Sequence, residues 1–287
     1  MSRMLGIAGV QMEVGPGDNR DNMARQLAGL VAKHPWVELV LFSELCSFGP
    51  DMKFAEPIPG PTLDLFRDLA RTHRVWLAPG SIYERTGNGV YNTVPIIDPD
   101  GRLVTQYRKI FPWRPYETAL PGREFCTFDL PGRGRVGLCT CYDQWFPEVV
   151  RQLTWMGAEI ILNPTMTVTD DRPLELILSR ANAICNQVYF FSVNGLGHGG
   201  IGSTVLVDPE GTVLDQAGRE EGVVAARIDL DRVSEVRREG TLGFCQVLKS
   251  LRDHSGTFPV YVEGLAAGPG FKDLGPISEK KLKVPGV

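Results

Sequence analysis

The chain alternates between short apolar runs and segments in which apolar residues recur every three or four positions. A short apolar run between turn residues is typical of a buried strand, whereas the second pattern is typical of an amphipathic helix. The apolar runs predict strands over Leu5–Val10, Leu39–Phe42, Arg74–Pro79, Asn92–Ile97, Leu103–Tyr107, Arg135–Thr140, Ile160–Leu162, Gln187–Val193, Ser203–Val207 and Val223–Ile228.

The helical pattern occupies several segments between these strands. It predicts a helix over Asp18–Lys33, with Asp18 as the N-cap, and further helices over Leu63–Thr72, Pro147–Met156 and Pro173–Asn186. Strands interleaved with helices, and later joined by short turns, predict an α/β fold with mixed or antiparallel strand pairing. In the predicted helix Pro173–Asn186 we expect four apolar residues to face the core: Leu174, Ile177, Leu178 and Ala181.

The regular pattern fades near residue 240. We therefore predict one domain over residues 1–240 and an extension over residues 241–287. The extension is rich in glycine and proline, and we expect it to pack on the same domain or on a partner subunit rather than to form a core of its own.

Composition and charge narrow the class of partner. Hydrophobic residues make up 43% of the chain, charged residues 22%, and the net charge is −4. Nucleic-acid and membrane-surface partners favour a basic face, so neither is expected. The first apolar run is interrupted by Gln11 and Glu13, which is atypical of an export signal. Because no apolar stretch approaches the ~20 residues needed to cross a bilayer, we expect a cytoplasmic protein.

The cysteines give no sign of a metal site or of a disulfide framework. A chain of 287 residues without an export signal has no need of disulfides. The close pair Cys139 and Cys141 lacks the spacing of a zinc knuckle and has no second pair nearby. We expect reduced thiols throughout, at positions Cys46, Cys126, Cys139, Cys141, Cys185 and Cys245.

Three residues with useful chemistry follow predicted strands. Cys141 lies between a strand end and a helix start, where the backbone dipoles favour a thiolate. Glu44 and Lys109 each come just after a strand. Each residue also has an ordinary interpretation: a buried structural cysteine, an exposed loop acid, and a lysine whose stem packs on aromatic rings. Taken singly, these positions do not decide between the two interpretations.

The motifs around these residues carry a resemblance to a known family. From about residue 5 to 230 the sequence resembles the nitrilase, or carbon–nitrogen hydrolase, superfamily. The order and spacing of the motifs together make a chance match rare. In chain order they are Leu-Val-Leu-Phe-Ser-Glu44, Tyr-Arg-Lys109, Gly137-Leu-Cys-Thr-Cys141-Tyr-Asp-x-x-Phe-Pro-Glu148, Gly157-Ala-Glu-Ile-Ile-Leu-Asn-Pro164, and Arg180-Ala-x-x-x-x-Asn186-Gln-Val-Tyr followed by Gly202-Ser203-x-x-x-x-Asp-Pro-x-Gly211.

The resemblance implies a four-layer α-β-β-α sandwich that associates into homodimers or larger assemblies, with no metal or organic cofactor. It also makes residues 1–240 a domain of the carbon–nitrogen hydrolase type. Glu117 stands eight positions after Lys109 and Trp113 four positions after it, as in the aliphatic amidase and formamidase branch. The segment Cys141-Tyr-Asp looks more like the ω-amidase and carbamoyl-hydrolase branches, and Ser43 replaces the usual proline. The subfamily therefore stays open.

The function that this resemblance implies is cysteine-dependent hydrolysis of a non-peptide C–N bond. The leading hypothesis is an amidase that converts a small primary amide and water into a carboxylic acid and ammonia through an acyl-thioester. The alternatives are an N-carbamoyl hydrolase, a nitrilase, an amide-forming acyltransferase and an inactive binding homologue. The expected catalytic residues are Glu44, Lys109, Cys141 and Glu117, and the expected substrate contacts are Trp113, Tyr142, Trp145 and Thr165.

Overall fold

A computed structural model describes residues 2–264, 268–271 and 274–279 of the chain. The strands within these residues are β1 (Met4–Gln11), β2 (Glu13–Val14), β3 (Leu39–Phe42), β4 (Trp76–Ala78), β5 (Ile82–Thr86), β6 (Gly89–Ile97), β7 (Leu103–Arg108), β8 (Cys126–Leu130), β9 (Gly134–Leu138), β10 (Ile160–Thr165), β11 (Tyr189–Asn194), β12 (Leu196–Gly197), β13 (Val205–Val207), β14 (Val213–Gln216) and β15 (Gly222–Asp229).

The helices of the same residues lie between or after these strands. The α-helices are α1 (Arg20–Lys33), α2 (Pro61–His73), α3 (Pro147–Trp155), α4 (Arg172–Asn186), α5 (Asp231–Glu239), α6 (Val247–Asp253) and α7 (Pro259–Val262). Short 3₁₀ helices occupy Met52–Phe54, Cys141–Trp145 and Pro269–Phe271.

Two large sheets form the centre of the fold. In the first, the strand order is β15-β1-β3-β4-β6-β5, with β7 also pairing with β6; in the second it is β14-β13-β11-β10-β9-β8. Strands β1, β3 and β4 run parallel to one another, as do β9, β10 and β11. Parallel neighbours end at the same edge of a sheet, so each sheet gathers the loops after its central strands at one edge.

The helices cover the outer faces of the two sheets. Side chains alternate between the faces of a strand, so β3 directs Leu39 and Leu41 into the core between the sheets and Val40 and Phe42 into the core under α1 and α2. Helices α3 and α4 pack on the second sheet. This arrangement confirms the predicted α-β-β-α sandwich. Strands buried on both faces also explain the continuous apolar runs in the sequence.

The start of α1 differs slightly from its prediction. The helix begins at Arg20, and its N-cap is Asn19 rather than Asp18. The Asn19 side chain is bound to the preceding turn, because its Oδ1 accepts from the Gly15 N–H at 2.9 Å. The Asp18 carboxylate still accepts the Arg20 N–H at 3.0 Å. The sequence thus identified a real acceptor but placed the helix start one residue early.

The prediction for the inner face of α4 is wrong. Leu174 and Ile177 are 51% and 64% exposed, while Leu178 and Ala181 are only half-buried. The buried face is polar and is formed by Arg172, Glu175, Ser179, Asn182, Ala183 and Asn186.

The polar face of α4 is buried because it supports the turn that carries Cys141. The Asn182 amide donates to the backbone carbonyl of Gln144 at 3.0 Å, and the Ser179 hydroxyl donates to the Gln144 side chain at 3.2 Å. Hydrophobic periodicity assigns the apolar face to the core. It fails here because the hydrogen-bonding needs of this turn decide which face points inward.

Two helices of the predicted extension, α6 and α7, lie within the described residues. The start of the extension is bound to the domain through Gln187. The side-chain amide of Gln187 donates to the carbonyl of Val236 in the domain at 3.2 Å and to that of Cys245 in the extension at 3.4 Å. The domain boundary and the expected association of chains stay predictions. Across residues 2–264, 268–271 and 274–279, no helix combines the length and apolar character that a bilayer-spanning helix requires.

Gly80 lies just after β4, and a side chain added there is expected to lower the stability of the protein. Gly80 has φ +78°, and a Cβ added there would lie 1.9 Å from the carbonyl oxygen of Ser43. We expect Gly80→Ala to lower the free energy of unfolding by at least ~2 kcal/mol, because strain and steric overlap add. Gly29→Ala is the control, since that position in α1 is open and alanine favours helix by ~0.5–1 kcal/mol. Denaturant unfolding measures both, and equal stabilities would contradict the prediction.

Candidate active site

The ends of three strands bring the candidate residues together. Glu44 follows β3, Lys109 follows β7, and Cys141 comes a few residues after β9. The Glu44 N–H donates to the carbonyl of Thr165, the last residue of β10, at 3.1 Å. This hydrogen bond joins the two sheets at the edge where their central strands end.

A buried ammonium lies between two carboxylates at this edge. The Nζ of Lys109 is 2.8 Å from Glu44 Oε1 and 2.8 Å from Glu117 Oε2. The side chains of Lys109 and Glu44 are each 2% exposed, and that of Glu117 is 10% exposed. A buried charge is tolerated when it is paired and hydrogen-bonded. The three residues therefore form one electrostatic unit.

Asn92 completes this unit and was not among the predicted site residues. Its amide Nδ2 donates to Glu44 Oε1 at 2.8 Å and to Glu117 Oε1 at 2.9 Å. Glu117 Oε2 also accepts the backbone N–H of Trp113 at 3.0 Å. A sequence signal for Asn92 did exist, because a polar residue opened the predicted strand Asn92–Ile97, but it looked like an ordinary strand end.

The pKa values of this unit follow from burial and from its charges. Burial is the main cause that raises the pKa of Glu44, although Lys109 opposes the shift. Burial would also raise the pKa of Glu117, but the Lys109 charge and its hydrogen bonds lower it. Burial would lower the pKa of Lys109, yet the surrounding carboxylates raise it well above its ordinary value. Lys109 is therefore a permanent cation, and Glu44 is the carboxylate better suited to accept a proton.

Cys141 occupies a backbone conformation that presents its side chain outward. Its φ is +47°, in the left-handed region that residues other than glycine rarely adopt. Such strain persists only where the surrounding structure imposes it, and it concentrates at functional sites. Here the Asp143 N–H donates to the Thr140 carbonyl at 3.0 Å, and the Asp143 carboxyl accepts the Thr140 N–H. The sharp turn between a strand and a helix resembles the way that other hydrolases expose a nucleophile.

Asp143 links the Cys141 turn to the segment that carries Lys109. Its Oδ2 accepts the Thr140 N–H at 2.8 Å and the Tyr107 hydroxyl at 2.7 Å, and its Oδ1 accepts the Phe111 N–H at 2.9 Å. Burial raises the pKa of Asp143 to about 6. The two segments are thereby held in a fixed relation to each other.

The expectation that the local field favours a thiolate at Cys141 is wrong for the resting site. Burial and then the Glu44 carboxylate raise the pKa of this thiol well above its ordinary value, although Lys109 lowers it. The helix-end argument ignored the carboxylate beside the sulfur. Any reaction that uses the thiolate therefore needs a base to remove this proton.

A small cleft opens at Cys141. It encloses only about 20 Å³, and the predicted substrate contacts Trp113, Tyr142 and Trp145 line it together with Cys141. Thr165 does not belong to this lining: its side chain is buried, and its hydroxyl accepts from Arg172 Nη1 at 3.5 Å. The structure thus places Thr165 behind the site, where it supports Glu44 through its carbonyl. Lining residues that the sequence did not suggest are Met166, Thr167, Val168, Thr169, Asp171 and Glu175.

Comparison with known proteins identifies the family. The model of the carbon–nitrogen hydrolase family matches residues 6–238. The chain is 32% identical to the omega-amidase NIT2 of Homo sapiens over 203 residues, which cover 65% of this chain and 73% of the relative. It is 31% identical to a formamidase of Bacillus cereus over 232 residues, which cover 73% of this chain and 69% of the relative.

Solved structures show the same fold. Nit3 of Saccharomyces cerevisiae, described as a member of branch 10 of the nitrilase superfamily, matches with a TM-score of 0.76 and 26% identity over 83% of this chain and 95% of its own. An amidase mutant from Nesterenkonia AN1 matches with a TM-score of 0.71 and 25% identity, again over 83% and 95%.

Fold, site and relatives together define an enzyme that hydrolyses C–N bonds, of the amidase type. This class agrees with the expectation drawn from the sequence motifs. The chain belongs to the carbon–nitrogen hydrolase family, within the nitrilase superfamily.

Replacement of the buried Lys109 is expected to lower the stability of the protein by an amount that depends on pH. In Lys109→Met, two carboxyls lose their counter-charge, and burial then raises both pKa values. A carboxyl whose pKa is raised in the folded state stabilises the fold at low pH, and this stability is lost as the pH rises. We expect a loss of ~3–5 kcal/mol at pH 7 and a smaller loss at pH 5. Denaturant unfolding at both pH values measures this difference.

The matched control is Lys33→Met, on the exposed side of α1. It should change the free energy of unfolding little and equally at both pH values, since Lys33 is not buried against carboxylates. If Lys109→Met lost the same free energy of unfolding at pH 5 and at pH 7, Lys109 would not be compensating the charges of the two carboxylates.

Proposed function

We propose that this enzyme hydrolyses small primary amides to carboxylic acids and ammonia through an acyl-thioester on Cys141. The proposal is supported by the buried ion pair of Lys109 and Glu44, because both of its charges act on the thiol of Cys141, which lines the cleft. The relatives agree with this reaction class: a formamidase and an omega-amidase are among them, and a mutant of the Nesterenkonia amidase was solved with butyramide.

Glu44 acts as the general base in this proposal. Its Oε1 accepts from both Lys109 and Asn92, which leaves Oε2 to take the thiol proton. As the proton moves, the sulfur attacks the amide carbonyl carbon and forms a tetrahedral intermediate. The raised pKa of Glu44 suits a group that accepts a proton and then returns it. Glu44 next delivers this proton to the amide nitrogen, and ammonia leaves as the C–N bond breaks.

Lys109 stabilises the oxyanion of the tetrahedral intermediate. Its ammonium stays charged through the cycle because the adjacent carboxylates hold its pKa high. The backbone N–H of Tyr142 is the second donor. Donors placed in this way are worth about 3–4 kcal/mol each in other acyl-transfer enzymes. A cation that never gives up its proton can contribute this stabilisation in both halves of the reaction.

Deacylation uses the same groups. Glu44 removes a proton from water, the hydroxide attacks the thioester carbonyl, and the C–S bond breaks. The proton on Glu44 then returns to the sulfur, and the carboxylic acid leaves. Overall, one amide and one water give one acid and one ammonia. Glu117 fixes the position of Lys109 and, through its charge, the basicity of Glu44.

Replacement of the proposed nucleophile tests the reaction. We expect Cys141→Ala to lower turnover of propionamide by about 10⁴-fold or more while the melting temperature stays close to that of the parent, because only the attacking atom is removed. Intact-protein mass spectrometry after a brief reaction should show an acyl adduct on the parent and none on the variant. Cys185→Ala, at an exposed thiol, is the control and should retain both turnover and adduct.

Substantial ammonia release by Cys141→Ala would exclude Cys141 as the nucleophile. Release from an N-carbamoyl compound or from propionitrile, with none from propionamide, would support one of the alternative reactions. A parent enzyme that forms no adduct with any of these compounds would support an inactive binding homologue.

Glu117→Gln tests the electrostatic role of the second carboxylate. The Glu117 charge is among the causes that raise the pKa of Glu44, after burial. Its removal should lower that pKa, so the acid limb of the pH profile of kcat/KM should move to lower pH. We also expect kcat to fall about 10–100-fold, because a less basic carboxylate accepts the thiol proton less well. A steady-state pH profile measures both effects.

Glu124→Gln, at an exposed position, is the control and should leave the profile unchanged. A fall in kcat without any movement of the acid limb would show that Glu117 acts only through packing.

A further inference from the structure

The cleft beside Cys141 has negative charge in its wall. Glu175 and Asp171 both line it, and the other lining residues are apolar, aromatic or hydroxyl-bearing. Within the described part of the chain, no lysine, arginine or histidine lines this cleft. The nearest charge cluster adds to the imbalance, since Lys109 faces the two carboxylates of Glu44 and Glu117.

Glu175 is held rigidly in this wall. Its side chain is 2% exposed, and its Oε2 accepts the Thr167 hydroxyl at 2.6 Å and Arg172 Nη1 at 2.9 Å. Arg172 lies behind the wall, where it also donates to Ser192 Oγ at 3.1 Å and to the Ser203 carbonyl at 2.8 Å. Arg172 thus gives this buried carboxyl a cationic partner, in an arrangement whose desolvation an uncharged side chain would avoid.

The other oxygen of Glu175 is only weakly engaged. Its Oε1 accepts from the Trp145 indole N–H at 3.4 Å, which is long for such a bond. A carboxylate oxygen with spare lone pairs can accept a hydrogen bond from a ligand. The charge also reaches the nucleophile: after burial and Glu44, Glu175 is a further cause that raises the pKa of the Cys141 thiol.

We propose that Glu175 selects the acyl group of the substrate. The site favours primary amides whose acyl chain ends in a neutral group or in a hydrogen-bond donor such as a hydroxyl or an ammonium. It rejects amides whose acyl chain ends in a carboxylate, because that charge would meet Glu175 in a cleft from which water is largely displaced. This inference rests on the proposed amidase function and names the substrate class for it.

A series of amides with matched shapes tests the inference on the unmodified enzyme. Butyramide and 3-aminopropanamide have similar shapes and differ in charge; succinamate and 4-methylpentanamide form a second such pair, anionic and neutral. We expect kcat/KM for succinamate to be at least tenfold below that for 4-methylpentanamide. We also expect 3-aminopropanamide to equal or exceed butyramide. Equal or faster hydrolysis of succinamate would overturn the inference.

Glu175→Gln adds a test that does not depend on the amount of active enzyme. The ratio of kcat/KM for succinamate to that for 4-methylpentanamide should rise at least fivefold, because the repelling charge is gone. Asp170→Asn, on an exposed neighbour that does not line the cleft, is the control and should keep the parent ratio. An unchanged ratio in Glu175→Gln would assign the selectivity to another group and overturn the inference.

If Arg172 without its partner prevents Glu175→Gln from folding, the substrate series on the parent enzyme still decides the question. The proposed function and the role of Glu175 are contradicted by different results. Hydrolysis of none of the four amides would contradict the proposed function, whereas hydrolysis in the reverse order of charge would contradict only the role of Glu175.

Discussion

The pairing of one buried ammonium with two carboxylates is the interaction on which the site depends. Lys109 makes it possible for Glu44 and Glu117 to be ionised where water is scarce, and Asn92 binds the same two carboxylates from one side. Removal of Lys109 would leave two buried carboxyls without a counter-charge. The cluster therefore acts as a whole, with the permanent cation setting the basicity of one acid and the position of the other.

The fold supplies this cluster by bringing together chain segments that are far apart in sequence. Parallel strands at the centre of each sheet end at a common edge, and the loops that follow β3, β7 and β9 meet there. Asp143 connects the turn that carries Cys141 to the segment after β7. Glu175 and its ion-pair partner approach from α4, so the helix outside the second sheet also shapes the cleft.

The sequence predicted the central strands, because residues buried on both faces leave continuous apolar runs, but it missed β5, β8 and β14 at the sheet edges and the short strands β2 and β12. The resemblance to a family brought Glu44, Lys109 and Cys141 together, which position alone could not do. Other features required coordinates. Asn92 looked like an ordinary strand end, and Arg172 and Glu175 were hidden on a helix whose apolar face pointed outward. The state of the thiol was misjudged because a helix end was weighed without the neighbouring carboxylate.

The hydrogen bond from the Glu44 N–H to the Thr165 carbonyl crosses from one sheet to the other. Glu44 follows a strand of the first sheet and Cys141 follows a strand of the second, so the distance between the proposed base and the proposed nucleophile depends on how the two sheets pack. Leu41 and Leu162 are among the side chains that fill the core between the sheets. They therefore affect this distance although they lie outside the cleft. Changes of side-chain volume there would shift the carboxyl of Glu44 relative to the sulfur of Cys141, so the packing of this interior bears on the proposed reaction as well as on stability.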